Sequence, residues 1–143
     1  RSTLFPYTTL FRSPAGGSLK MKEVSYIHSE AYSAGELKHG PIALIENGSV
    51  VIAVCTQDNV FEKMLSNIKE VKARGAHVIA IAQDKHQEIN SEVDEAFFIP
   101  DECEELTPIT AVIYLQILAY YLAVARGCDV DKPKNLAKSV TVE

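Results

Sequence analysis

SVVIAVCT, residues 49–56, is a short unbroken apolar run rich in β-branched side chains, the pattern of a strand buried on both faces. Strands of that kind belong to parallel sheets. HVIAIA at residues 77–82 repeats the pattern, and AFFI at residues 96–99 is a third, shorter version after a polar connection. Between the first two, Asp58 or Asn59 is placed to cap a helix whose face is Phe61, Met64, Leu65, Ile68 and Val71, and Gly75 is placed to end it. The connections are long enough for crossovers, so residues 50–55, 78–82 and 96–99 are expected to be neighbouring parallel strands.

Beyond the third strand, Thr107 is expected to cap a helix with Pro108 in its first turn and Gly127 at its close. This segment is apolar nearly all round, as in a helix packed inside a domain or dimer. Upstream, Val24, Ile27 and Ala31 recur at helical spacing and predict a helix over residues 18–32, with Lys20 and Glu23 one turn apart on a polar edge. SAGELKHGP, residues 33–41, holds two glycines and a proline and predicts an ordered loop or a broken turn of helix, a type of segment that often carries function.

Alternating helices and buried strands define an α/β class: a three-layer domain with a mostly parallel sheet and helices on both faces. Sheets average about five strands, whereas three are visible, so a first, central strand is expected to be missing ahead of Ser18. The domain is read as residues 14–126, followed by a tail at 127–143 that should be held in place rather than frayed. Residues 1–13 have neither helical nor strand period and resemble translated sequencing-adapter sequence. They are read as foreign, with PAGG at 14–17 as a junction or the first native residues.

The chain has 143 residues, 47% hydrophobic and 23% charged, which is enough for one core. Its net charge of −5, with scattered signs, offers no basic surface for nucleic acid or anionic lipid. A small, locally held anion remains compatible with it. Cys55, Cys103 and Cys128 lie far apart without zinc-site spacing, which points to a reducing, cytoplasmic compartment and to no metal. The apolar stretch at 109–125 is interrupted by Thr110, Gln116 and three tyrosines and falls short of the about 20 residues of a bilayer span, so a buried helix is expected.

Taken one at a time, the polar candidates read modestly. Lys20 and Glu23 have the spacing of a solvated ion pair worth about 0.3–0.5 kcal/mol. His39, beside Gly40 and Pro41, can exchange a proton near neutral pH but equally reads as a loop histidine bonded to a carbonyl. Lys138 sits among Leu136, Val140 and Val142. In a partly dry site it would lose its charge readily and attack a carbonyl; in an open tail it is an ordinary surface lysine. Cys55, at a strand end, lacks a partner histidine and reads as an inert core thiol.

Taken together, SLKMKEVSYIHSEAYSAGELKHGP at residues 18–41 and DVDKPKNLAKSVTVE at residues 129–143 closely resemble the glutamine-fructose-6-phosphate aminotransferase (isomerising) family, the glucosamine-6-phosphate synthases. The HGP segment is shared by several sugar isomerase (SIS) domains, whereas NLAKSVTVE is specific to this family. The resemblance implies the second of two SIS domains plus the C-terminal tail, as a fragment of a larger enzyme. It implies Glu23, His39 and Lys138 as catalytic residues acting on open-chain fructose-6-phosphate, Lys20 as a further active-site lysine, and Ala137 as a backbone contact to the sugar. It further implies a homodimeric parent with His39 serving the neighbouring subunit, a glutaminase domain and a first SIS domain outside this chain, and no cofactor. Gly16 departs from the family, which usually has a glutamate there. A non-catalytic SIS sugar-phosphate-binding module, a related SIS deglycase or isomerase, and an inert truncated product remain as alternatives.

Overall fold

A computed structural model describes residues 14–134. Its sheet has the order β1-β2-β3, with β1 at Val50–Cys55, β2 at His77–Gln83 and β3 at Glu95–Ile99. All pairings are parallel: Val50 lies opposite His77, and Ile79 opposite Glu95. The three strands expected from the apolar runs are therefore present, adjacent and parallel.

Alternation along the strands divides the core in two. Ala53 and Cys55 of β1, with Val78, Ala80 and Ala82 of β2, face one side and pack with Phe61, Ile68 and Val71 of α2 (Phe61–Ala73). Ile52, Val54 and Ile81 face the other and pack with Ala111 and Leu115 of α3 (Thr107–Ala125). Helices thus cover both faces, giving the three layers expected. β2 is the central strand and is almost wholly buried. β1 is not buried throughout: Val50 is 64% exposed, and the far edge of β1 has no partner among the described residues. A further strand of a larger sheet would pair there.

Three local expectations need correction. The first helix, α1, runs as α-helix over residues 14–20 and as a π-turn at Met21–Ser25, then stops, instead of continuing to residue 32. Ser25 Oγ donates to the Met21 carbonyl (2.6 Å), and Tyr26 adopts a left-handed conformation (φ 56°, ψ 27°) that the helix cannot pass through. The Asp58 carboxylate does not cap α2: a 3-10 turn at Asp58–Val60 intervenes, and the carboxylate is taken by Lys85 and His86. Thr107 is the first residue of α3 rather than its cap, and its hydroxyl donates backwards to the Glu104 carbonyl (2.9 Å).

The helix α3 is also buried on one side only. Thr107, Pro108, Ala111, Leu115, Ala119 and Ala123 face inward, whereas Ile109, Ile113, Ile117, Tyr120, Tyr121 and Val124 are exposed. At 19 residues it is long and apolar enough to cross a membrane by length and composition alone. Its inner face nevertheless belongs to the domain core, and it also packs along α1, where Gly17 leaves no room for a Cβ beside Leu115.

Candidate active site

The end of α1 carries the first candidates. Lys20 and Glu23 are one turn apart, and the ammonium donates to Glu23 Oε2 at 2.7 Å. The two side chains are 45% and 44% exposed, so the pair is accessible to a ligand rather than locked in the core. After the π-turn the chain reverses sharply. Ser18 Oγ donates to the Ser29 carbonyl (2.8 Å), and Ser29 Oγ donates to the Ser18 carbonyl (2.9 Å), pinning the outgoing segment against the helix.

His39 ends a 3-10 turn at Ala34–His39, and a second one at Pro41–Leu44 follows after Gly40 (φ 157°). This is the broken helix that the two glycines and the proline led one to expect. Leu37 anchors the segment in the core beneath α2, and Lys38 Nζ donates to Glu70 Oε1 on α2 (2.6 Å). His39 itself is exposed, and no hydrogen bond or ion pair joins it to Lys20 or Glu23 among the described residues. The fold therefore brings Lys20 and Glu23 together and holds His39 on a separate, well-anchored support.

Lys138 and Ala137 lie outside the described residues. The tail can be followed to Lys134, whose backbone N–H donates to Tyr26 Oη at 2.7 Å and whose ammonium stands 5.2 Å from the Tyr26 ring centroid. The chain leading to Lys138 thus returns to the end of the helix that bears Glu23. Sequence reasoning missed Tyr26 because a left-handed tyrosine carries no local signature of the kind that glycine or asparagine provides.

A second polar group, also unanticipated, lies after the carboxyl ends of β1 and β2. Asp58 accepts from Lys85 Nζ (2.6 Å) and faces His86 Nε2 (2.9 Å); these two partners hold its carboxyl below the usual carboxylate range. The His86 ring stacks on Phe61 with centroids 3.8 Å apart. Every member is engaged, so the group acts as a strut between two loops. Cys55 is buried, and burial pushes its thiol up to about 12, which rules it out as a nucleophile near neutral pH. Among the described residues no group of three His, Cys, Asp or Glu side chains is placed to hold a metal ion.

A parallel sheet between helices, with an accessible lysine–glutamate pair on the preceding helix and a histidine on a supported loop, defines an α/β domain of the three-layer kind. The chain belongs to the SIS domain family, whose family model matches residues 15–126. It is 65% identical over 127 residues to a protein of Caldanaerobacter subterraneus subsp. tengcongensis named glutamine–fructose-6-phosphate aminotransferase (isomerizing), and 54% identical to the Thermus thermophilus protein of the same name. Each match takes in 89% of this chain but only 21% of the relative, so the chain spans about a fifth of the length of these curated proteins. Among solved structures, the C-terminal domain of glucosamine-fructose-6-phosphate aminotransferase from Francisella tularensis superposes with a TM-score of 0.73 at 38% identity, covering 81% of this chain and 33% of that one. Glucosamine-6-phosphate deaminase from Thermotoga maritima gives 0.69 at 29% identity, covering 91% and 37%.

Proposed function

We propose that this chain is the C-terminal SIS portion of the isomerase half of a glutamine–fructose-6-phosphate aminotransferase, acting within a longer cytoplasmic enzyme. The relatives' names supply the substrate, and the site supplies the means. The Lys138 amine adds to C2 of open-chain fructose-6-phosphate and expels water to form an imine; nitrogen from glutamine then replaces the lysine amine. Glu23 carries the proton from C1 to C2 that turns the ketose imine into the aldose amine, while Lys20 holds its carboxylate in place. His39 exchanges the proton needed to open the ring, and Ala137 lines the sugar with its backbone. Hydrolysis of glutamine and the grip on the phosphate belong to parts of the enzyme outside this chain.

The observation that carries this reading is the return of the tail to Tyr26, three residues beyond Glu23, because it brings the chain at Lys134 back to the end of the helix that bears Lys20 and Glu23. The outward apolar face of α3 supports a homodimeric enzyme, and the exposure of His39 supports its service to the neighbouring subunit. In mixed dimers of the full-length enzyme, His39→Ala and Lys138→Ala subunits should then restore part of the activity that each lacks alone; no recovery in verified mixed dimers contradicts the sharing.

The decisive test is borohydride reduction of the full-length enzyme with fructose-6-phosphate, followed by peptide mapping. A sugar adduct is expected on Lys138 and absent in Lys138→Arg, whose guanidinium stays protonated and cannot form the imine. Near-normal glucosamine-6-phosphate synthesis by the arginine variant would overturn the mechanism. The same preparations, assayed for ammonia release from glucosamine-6-phosphate without glutamine, distinguish a deaminase like the Thermotoga maritima neighbour.

A further inference from the structure

The π-turn at Met21–Ser25 has a consequence for the tail. The Tyr26 N–H closes the turn on the Met21 carbonyl, and Tyr26 itself is the only non-glycine residue with positive φ among those described. A side chain in this conformation is uncommon because its Cβ crowds the following carbonyl. Here it turns the phenol out of the helix and toward the end of α3, into a cavity of about 540 Å³ that it lines with Arg126, Cys128, Asp129, Lys132 and Lys134.

The tail is shaped to meet it. Gly127 (φ 70°) ends α3, and the Cys128 N–H donates to the Ala123 carbonyl while its thiol lies 4.0 Å from the Ser25 carbonyl. The Asp129 carboxylate then accepts the N–H groups of Asp131 and Lys132, both at 3.0 Å, in a side-chain turn that reverses the chain. Pro133 stiffens the next step, and the Lys134 N–H and ammonium reach the Tyr26 hydroxyl and ring. Lys138 is four residues further, at most about 14 Å of extended chain. Glu23 is three residues before Tyr26, just under one helical turn back.

We infer that Tyr26 is a positioning residue for the isomerase reaction: its hydroxyl and ring seat the tail at Lys134, beside the end of the helix that bears Lys20 and Glu23. This rests on the reading of Lys138 as the nucleophile. The anchoring itself does not.

Two measurements on the full-length enzyme separate these. Trypsin cuts after Lys134 but not between Lys132 and Pro133, so cleavage of the Lys134–Asn135 bond reports the anchor. Tyr26→Phe, which loses only the acceptor, should speed that cut about five-fold, the factor typical of one neutral hydrogen bond. Tyr26→Ala, which also loses the ring, should add a further factor of about two to five. Cleavage at Arg74–Gly75 serves as the internal control. Equal rates at Lys134 in all three proteins overturn the inference.

The second measurement is turnover and borohydride trapping. Tyr26→Phe should lower kcat and the rate of adduct formation by about five-fold while KM for fructose-6-phosphate moves less than about two-fold. Lys134→Pro removes the donor of the same bond, so it should lower kcat similarly, and combining it with Tyr26→Phe should cost little more than either alone. Faster cleavage with unchanged kcat and trapping overturns the positioning role. If the wild-type enzyme traps no sugar on Lys138 although the cleavage pattern is as expected, the functional reading has failed rather than the anchor.

Discussion

The sheet with α2 and the rim formed by the end of α1, the His39 loop and the tail are built on opposite principles. Around β2 the side chains are apolar and nearly inaccessible: Val78, Ala80, Ala82 and Ile89 are all fully buried. Stability there comes from area removed from water and from close packing. Along the rim Glu23, His39 and Lys134 are exposed, and what orders them is a few directed contacts: Lys20 to Glu23, Lys38 to Glu70, and Tyr26 to Lys134. A buried interior thus carries groups that stay accessible to solvent, and the two regions should answer mutation in different measurements.

Glu23→Gln sharpens this contrast most. In the full-length enzyme it should cut turnover by about 100- to 10,000-fold, the range for loss of a general acid–base group. Its unfolding midpoint should barely move, because an exposed ion pair contributes about 0–1 kcal/mol. Activity within a few-fold of normal would place Glu23 outside the chemistry.

Ile68→Ala should show the reverse. Ile68 is 2% exposed in the α2 face of the core, and its truncation should destabilise the domain by about 2–5 kcal/mol in urea unfolding followed by circular dichroism. A loss well below 1 kcal/mol would mean that α2 is not packed as described.

Gly75→Ala probes the tight turn between α2 and β2. Gly75 has φ 88°, and an added Cβ would come within 3.0 Å of the Asn47 Cα, so the change should cost about 1–2 kcal/mol or more in the same assay. A neutral result would show that the turn relaxes freely.

The smallest expected effect is electrostatic. Asp94 joins α2 to β2: its carboxylate accepts from Lys72 Nζ (2.6 Å) and from the Val78 N–H (2.7 Å), and these hold its carboxyl below the ordinary aspartate value. Because the folded value is depressed, the contribution is fully present above the unfolded value of about 3.9 and is lost as pH falls through the folded one. Tm measured from pH 6 down to pH 2 should therefore decline less steeply below about pH 4 in Asp94→Asn than in the wild type. Parallel curves would remove Asp94 from the acid response.

The amino-acid sequence by itself determined the layered interior. Runs such as VVIAVC and, after His77, VIAIA are apolar at every position, and the spacing of Phe61, Met64, Leu65, Ile68 and Val71 places one stripe on α2, so strand, helix and parallel order were legible from the sequence pattern alone. The candidate residues Lys20, Glu23 and His39 were legible only as members of a resemblance, since a lysine–glutamate pair or a loop histidine has no distinctive pattern of its own. Ala137 and Lys138 stand on that resemblance still. Tertiary structure alone decided where α1 stops, which face of α3 is covered, and that Asp58 pairs with Lys85 and His86 instead of capping α2. It also decided that Tyr26 meets Lys134, 108 residues away in the chain. The physical reason is range: periodicity records what each residue prefers within a turn or two, whereas these features depend on which distant partner can reach a polar group once the core has closed.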